Sequence, residues 1–281
     1  YRLADINSDG ILDLYGRNFN RSLFGWLPGI GDGTFSDFIP VSGADSNTNA
    51  NQNYLTKPYQ AVDLDGDGDL DFVVGKSTGS LIELWTNDGS QNFVLAGTLV
   101  GLQRASTGLQ GVTDLRVADF TGDGILDIFY SGTDRDGYSI YLGTAAPLAF
   151  TYQDASERVG SFAGEANPAG NDAPLDFDGD GDLDLVMGNG HVGEKYAVRV
   201  LINNGSGFFT VTDYASVDFV GQETEIRQAS NDTNIVAGVL VGDYNRDGVV
   251  DLSYYTRGDN DFNGVGIILG TRPGEFYGSH T

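Results

Sequence analysis

Apolar residues along this chain come in short runs, and the runs recur. Phe72-Val73-Val74-Gly75, Ile128-Phe129-Tyr130 and Leu185-Val186-Met187-Gly188 are rich in β-branched and aromatic residues, the pattern of buried strands bounded by turns. Shorter apolar stretches precede them, at residues 59–64 and 115–120, with another at 239–244. A third set follows at 22–27, 81–85, 138–142, 197–202 and 265–269. Turns rich in Gly and Asn then lead to a phenylalanine that opens a fourth strand: Gly31-Asp32-Gly33-Thr34-Phe35, Asn87-Asp88-Gly89 before Phe93, Asn203-Asn204-Gly205 before Phe208, and Gly270 before Phe276. No stretch sustains a 3.6-residue period with caps, and 41 glycines scattered at turns oppose long helices. The pattern predicts an all-β protein built from four-stranded antiparallel units.

Between the first and second strands of each unit lies a polar nonapeptide that repeats: DINSDGILD (5–13), DLDGDGDLD (63–71), DFTGDGILD (119–127), DFDGDGDLD (176–184) and DYNRDGVVD (243–251). Successive copies start 58, 56, 57 and 67 residues apart. Four-stranded units at this spacing point to a β-propeller, in which sheets stack around a channel; a β-helix would repeat over a much shorter length. The expected organisation is one propeller domain over residues 1–281, with repeats at about 1–53, 54–110, 111–170, 171–234 and 235–281. Five repeats make either a five-bladed ring or an arc of a larger propeller.

Composition narrows the partners. The formal net charge is -25, from 15 Lys+Arg against 40 Asp+Glu, so a nucleic acid or an anionic membrane would be repelled over most of the surface. With 40% hydrophobic residues the chain has material for a core. It has no cysteine, which excludes disulfides and thiolate metal sites. No apolar run approaches the roughly 18 residues needed to span a bilayer. The counter-charge expected of such a chain is a cation. The abrupt start at Tyr1-Arg2-Leu3-Ala4, almost inside the first nonapeptide, reads as that of a mature or excised piece of something longer.

The pattern D-x-[DN]-x-D-G-x-x-D, followed by apolar residues and a late G-x-x-F, resembles the FG-GAP or VCBS-type repeat of integrin α-chain propellers, fungal propeller lectins and large secreted bacterial proteins. The resemblance covers all five units, with Thr121 a departure at the third loop position, where Asp or Asn is usual. It implies bound Ca²⁺. That ion takes six to eight oxygens at about 2.3–2.6 Å, so a site needs several carboxylates converging from a sharply bent backbone. Loop positions one, three, five and nine would supply side-chain oxygens and position seven a backbone carbonyl. The expected ligands are Asp5, Asn7, Asp9 and Asp13 with Ile11; Asp63, Asp65, Asp67 and Asp71 with Asp69; Asp119, Thr121, Asp123 and Asp127 with Ile125; Asp176, Asp178, Asp180 and Asp184 with Asp182; and Asp243, Asn245, Asp247 and Asp251 with Val249. The site bearing Thr121 is expected to be the weaker.

Position six is Gly10, Gly68, Gly124, Gly181 or Gly248, where the turn needs a conformation costly for a side chain. An EF-hand is excluded: its bidentate Glu at position twelve is replaced by Gly16, Val74, Tyr130, Met187 and Tyr254. Mg²⁺ keeps its waters and demands rigid octahedral geometry, which leaves Ca²⁺ as the expected ion. Five ions would bring the charge from -25 to about -15. The clustered carboxylates repel one another, a repulsion that a cation relieves.

Other features carry less. Arg257-Gly258-Asp259 spells an integrin-recognition tripeptide, a motif with a high false-positive risk in a chain this rich in Gly and Asp. Asn20-Arg21-Ser22, Asn204-Gly205-Ser206 and Asn231-Asp232-Thr233 are glycosylation sequons, meaningful only in a eukaryotic secretory route. Trp26 and Trp85 fall at matching places on the third strand, as does Tyr141, so they are expected to pack between blades rather than stack on a sugar. His191 near Glu194 sits in a Gly-rich loop, where exposure is expected rather than catalysis. Nothing favours acid/base work by Glu83, Asp114 or Glu223, and no nucleophile elbow, phosphate loop or His-based zinc signature appears. The polar segments 42–53, 154–172 and 222–234 are where ligand-binding loops would lie. The expectation is a non-enzymatic, calcium-stabilised, extracellular adhesion or interaction module that binds a protein or glycan on a cell surface or matrix; a lectin and a polysaccharide-active propeller enzyme are the alternatives.

Overall fold

The computed structural model describes residues 1–18, 23–45, 59–76, 81–100, 112–132, 138–154, 158, 174–188, 196–215, 235–257, 264–273 and 275–276. They form antiparallel sheets that follow one another along the chain, the five blades of a β-propeller. Sheet one is β1 (Arg2–Ala4), β2 (Asp13–Asn18), β3 (Leu23–Leu27) and β4 (Ile39–Asp45). Sheet two is β5 (Tyr59–Val62), β6 (Asp71–Gly75), β7 (Leu81–Asn87) and β8 (Phe93–Val100). Sheet three is β9 (Val112–Ala118), β10 (Asp127–Gly132), β11 (Tyr138–Gly143) and β12 (Phe150–Asp154). In each of these three the strands are hydrogen-bonded in sequence order.

In the fourth and fifth sheets, three strands each are hydrogen-bonded among the described residues. Sheet four pairs β13 (Leu185–Gly188), β14 (Tyr196–Asn203) and β15 (Phe209–Ala215). Among the described residues, Leu175 pairs with Asp184 through a single bridge ahead of these strands. Sheet five pairs β16 (Ile235–Gly242), β17 (Asp251–Arg257) and β18 (Gly264–Ile268), and is followed by a separate ribbon of β19 (Gly270–Arg272) and β20 (Glu275–Phe276).

The chain divides into two compact units. The first comprises Tyr1–Val117, Ile128–Asp134 and Tyr141–Thr151; the second comprises Ala118–Asp127, Arg135–Ile140 and Tyr152–Thr281. In the first, sheet two packs on sheet one through one face of each. Register places Ala61, Phe72 and Trp85 side by side on sheet two, and Tyr15 beside Trp26 on sheet one. Phe24 meets Phe72 edge-on with centroids 4.9 Å apart, and Tyr15 meets Tyr59 at 5.9 Å. Such aromatic pairs add to the burial term. In the second unit, Phe177, Val186 and Val200 pack with Val239, Leu252, Tyr254 and Ile268. Trp26, Trp85 and Tyr141 are all buried, in keeping with blade packing.

Among the described residues no helix is long and apolar enough to cross a membrane. Residues 191, 194, 223, 258 and 259, the sequons at 20–22 and 231–233, and nearly all of the three polar segments lie outside the described residues.

Candidate metal centres

Each nonapeptide connects the first strand of its sheet to the second, and all five bend alike. Position six has a left-handed backbone in every copy, with φ of 84° at Gly10, 97° at Gly68, 82° at Gly124, 97° at Gly181 and 85° at Gly248. Position four is left-handed as well: Ser8 at 58°, Gly66 at 82°, Gly122 at 71°, Gly179 at 82° and Arg246 at 62°. Three glycines among these five residues are the sequence signal for that second bend.

The bent backbone turns its N–H groups inward onto the carboxylates. The position-one Asp accepts the N–H of the position-six glycine in all five loops: Asp5 from Gly10 at 2.8 Å, Asp63 from Gly68 at 3.0 Å, Asp119 from Gly124 at 2.7 Å, Asp176 from Gly181 at 3.2 Å and Asp243 from Gly248 at 3.0 Å. The position-five Asp accepts the N–H of position seven, from Ile11, Asp69, Ile125, Asp182 and Val249. These bonds offset part of the repulsion among the carboxylates, which a cation would relieve further.

Position nine is different in kind. Asp13, Asp71, Asp127, Asp184 and Asp251 are buried, all with at most 1% exposure. Each accepts the position-two N–H on Oδ2: from Ile6, Leu64, Phe120, Phe177 and Tyr244, at 2.7–2.9 Å. On Oδ1, Asp13 accepts from Gly29, Asp71 from Asn87, Asp184 from Asn203 and Asp251 from Gly270, at 2.7–2.8 Å. One carboxylate thus pins the start of its own loop to the end of the third strand. Burial pushes Asp71 and Asp184 up to about 6, against the stabilising N–H groups of Asn87 and Asn203. Desolvation raises Asp178 as well.

The residue that reaches position nine from the third strand varies with position seven. Where position seven is Ile11 or Val249, that residue is glycine, and a Cβ on Gly29 would lie 2.3 Å from the Leu12 carbonyl oxygen and 2.7 Å from Ile11 Cγ2. Gly270 is confined in the same way, 2.3 Å from the Val250 oxygen and 2.6 Å from Val249 Cγ1. Where position seven is Asp69 or Asp182, the residue is Asn87 or Asn203.

Three ligand oxygens come together in two of the loops. Asp63, Asp65 and Asp71, and likewise Asp176, Asp178 and Asp184, each offer a carboxylate oxygen within 4.8 Å of the others. Oxygens about 2.4 Å from one ion stand at most about 4.8 Å apart, so the spread is that of donors around a single hard cation. The loops with Asn7 and Asn245 present a mixed set, in which each amide nitrogen donates to Asp9 or Asp247 and each amide oxygen accepts their N–H. In the third loop the Thr121 hydroxyl lies 3.5 Å from Asp119, and Asp119 Oδ1 takes the N–H of Asp123 that position three accepts in the other loops. Asp and Asn donors of this kind fit Ca²⁺.

Two of the remaining acids have structural partners. Glu83 pairs with Lys76 at 3.0 Å and accepts from the Trp85 indole at 3.1 Å. Asp114 pairs with Arg116 at 2.5 Å, both side chains buried. Asn204 is exposed, its side chain accepting the Ser206 N–H in the turn.

Comparison with curated proteins gives no match. Among solved structures, the chain is similar to a lectin of Agrocybe aegerita that recognises non-reducing terminal N-acetylglucosamine, with 21% identity, a TM-score of 0.51, and coverage of 94% of this chain and 64% of the lectin's. A Photorhabdus luminescens Tc holotoxin pore is similar at 19% identity and a TM-score of 0.45, over 92% of this chain and 11% of the other. The chain therefore spans less than two thirds of either protein. The model of the FG-GAP-like repeat matches three times, over residues 5–74, 63–130 and 176–253. Those matches cover well over half the sequence and each begins on one of the Asp-rich loops, so the chain belongs to the FG-GAP-like repeat family.

Proposed function

We propose that this chain is a calcium-stabilised binding module of an extracellular protein, one that recognises a partner and performs no catalysis. The observation that carries the reading is the convergence of three carboxylates in each of the second and fourth loops, where the buried ligand Asp71 or Asp184 is held well above the ordinary carboxylate range. A divalent cation removes that strain and would bind the folded form alone, which stabilises it. Sites of this kind in extracellular modules fill at about 10⁻⁴–10⁻³ M calcium, so they would stand empty in a cytosol and full outside the cell.

Asp63, Asp65, Asp67 and Asp71, with the Asp69 carbonyl, would hold the ion in the second loop, and the corresponding residues in the others. The ion would supply charge neutralisation and rigidity, and the blades a stiff platform. Chelation should lower the melting temperature, and calorimetry should register calcium uptake; an unchanged melt together with no heat of binding would overturn the reading.

A glycan partner is the second reading, supported by the Agrocybe aegerita lectin. Trp26 and Trp85 would not serve it, at 1% and 4% exposure. A glycan array on the calcium-loaded chain distinguishes a sugar ligand from a protein one.

A further inference from the structure

We infer that Asn203 couples the third and fourth cation sites, so that filling either one raises the affinity of the other. This rests on the proposal that these loops bind calcium, and it names a relation between two sites rather than a further site.

The coupling has a continuous path. The Asn203 backbone N–H donates to Asp184 Oδ1 at 2.7 Å, and Asp184 is the buried ligand of the fourth loop. The Asn203 side-chain Nδ2 donates to the Phe120 carbonyl at 2.8 Å. The same Phe120 residue donates its own N–H to Asp127 Oδ2 at 2.9 Å, and Asp127 is the buried ligand of the third loop. Asp184, Asn203, Phe120 and Asp127 are between 0 and 2% exposed, so water does not compete for any of these bonds. Hydrogen bonds in series inside a protein polarise and position one another. An ion that fixes the Asp184 carboxylate therefore fixes Asn203, and through it the peptide that orients Asp127. Equilibrium coupling is reciprocal.

The Asn203 amide is itself held. Its Oδ1 accepts the Gly207 N–H at 3.2 Å, and Nδ2 also reaches the Leu183 carbonyl at 3.1 Å. Its counterparts lack this reach. Asn87 directs Nδ2 to Leu70 in its own sheet at 3.4 Å, and its Oδ1 is buried without a hydrogen-bond partner. Gly29 and Gly270 have no side chain to extend. Among the described residues, Asn203 alone carries a side-chain bond from a position-nine carboxylate to a neighbouring loop.

The test uses the full ¹⁵N-labelled chain titrated with calcium. The Gly124 and Gly181 amides donate to Asp119 and Asp176 and so report the third and fourth sites separately. Asp178→Ala, which removes one of the three converging carboxylates and so disables the fourth site, should weaken the calcium midpoint at Gly124 by about five- to tenfold, the low end for coupled sites. Asn203→Gly keeps the backbone donor to Asp184 and removes only the amide. It should leave the Gly181 midpoint within about twofold, and in its presence Asp178→Ala should no longer move Gly124. Asn203→Ala provides the same readout if the glycine variant does not fold. A Gly124 midpoint indifferent to Asp178→Ala, or equally sensitive after Asn203→Gly, overturns the coupling alone. Calcium that moves neither amide overturns both the coupling and the calcium reading.

Discussion

Replacing Asp71 by asparagine separates the two roles of the position-nine residue. The substitution preserves shape but puts an NH₂ where a carboxylate oxygen had accepted an N–H, either from Leu64 at 2.9 Å or from Asn87 at 2.7 Å. One buried donor is orphaned, at a cost of about 1–3 kcal/mol. Against this, the wild-type carboxyl has been pushed up to about 6 from 3.8. At neutral pH, keeping it ionised costs the ion-free fold roughly 3 kcal/mol, which the neutral amide avoids. In EDTA the two effects largely cancel, and Asp71→Asn should differ from wild type by about 2 kcal/mol or less, in the variant's favour. In calcium at about a hundred times the dissociation constant, the wild-type site contributes about 2.7 kcal/mol that the variant lacks. Calcium should therefore shift the difference in melting temperature between the two by roughly 5–11 °C toward wild type. Thermal unfolding followed by tryptophan fluorescence reads it directly, because Trp26 and Trp85 both lie in the first unit with the mutated loop. A deficit of the same size with and without calcium would refute the reasoning, since Asp71 would then be a backbone clamp and nothing more.

Other perturbations test separate parts of the structure. Asp71 and Asp184 have folded values near 6 and would titrate near 3.8 in the unfolded chain. The ion-free protein should therefore be most stable below about pH 4 with respect to these groups, and lose that stability as pH rises through about 6; urea midpoints in EDTA from pH 4 to 7.5 check this, and a rise over the same range contradicts it. Acidification through pH 6 should weaken calcium binding, with proton release visible as buffer-dependent heat. Ser8→Gly and Arg246→Gly relieve left-handed residues at φ 58° and 62° and should each stabilise by about 1 kcal/mol, measured by the shift in urea midpoint. Gly29→Ala drives a methyl to 2.3 Å from the Leu12 oxygen and should cost more than about 2 kcal/mol, whereas an unchanged melt would show that the Gly29 backbone can move aside.

What the sequence made legible was whatever depends on local pattern. The alternation of short apolar runs with a recurring nonapeptide located the sheets, the bends at position six and the acids that gather there. Less legible was what depends on a neighbour in space. Nothing in DFDGDGDLD separates Asp184, buried and pinned by Asn203, from Asp180, whose partner is a local N–H. The need for glycine at Gly29 and Gly270 comes first from the position-eight carbonyl, 2.3 Å from where a Cβ would stand, and then from the position-seven side chain, a constraint visible only once the third strand is seen to end over the loop.

The inward-turned peptide N–H groups also bear on how an ion would come and go. Every loop already has its position-one and position-five carboxylates gripped by its own backbone. The sites are therefore preorganised, and capture requires little ordering of the chain. Calcium would then exchange with a receptor of fixed shape, and its withdrawal would leave the far-ultraviolet dichroism of the sheets almost untouched while making them easier to melt.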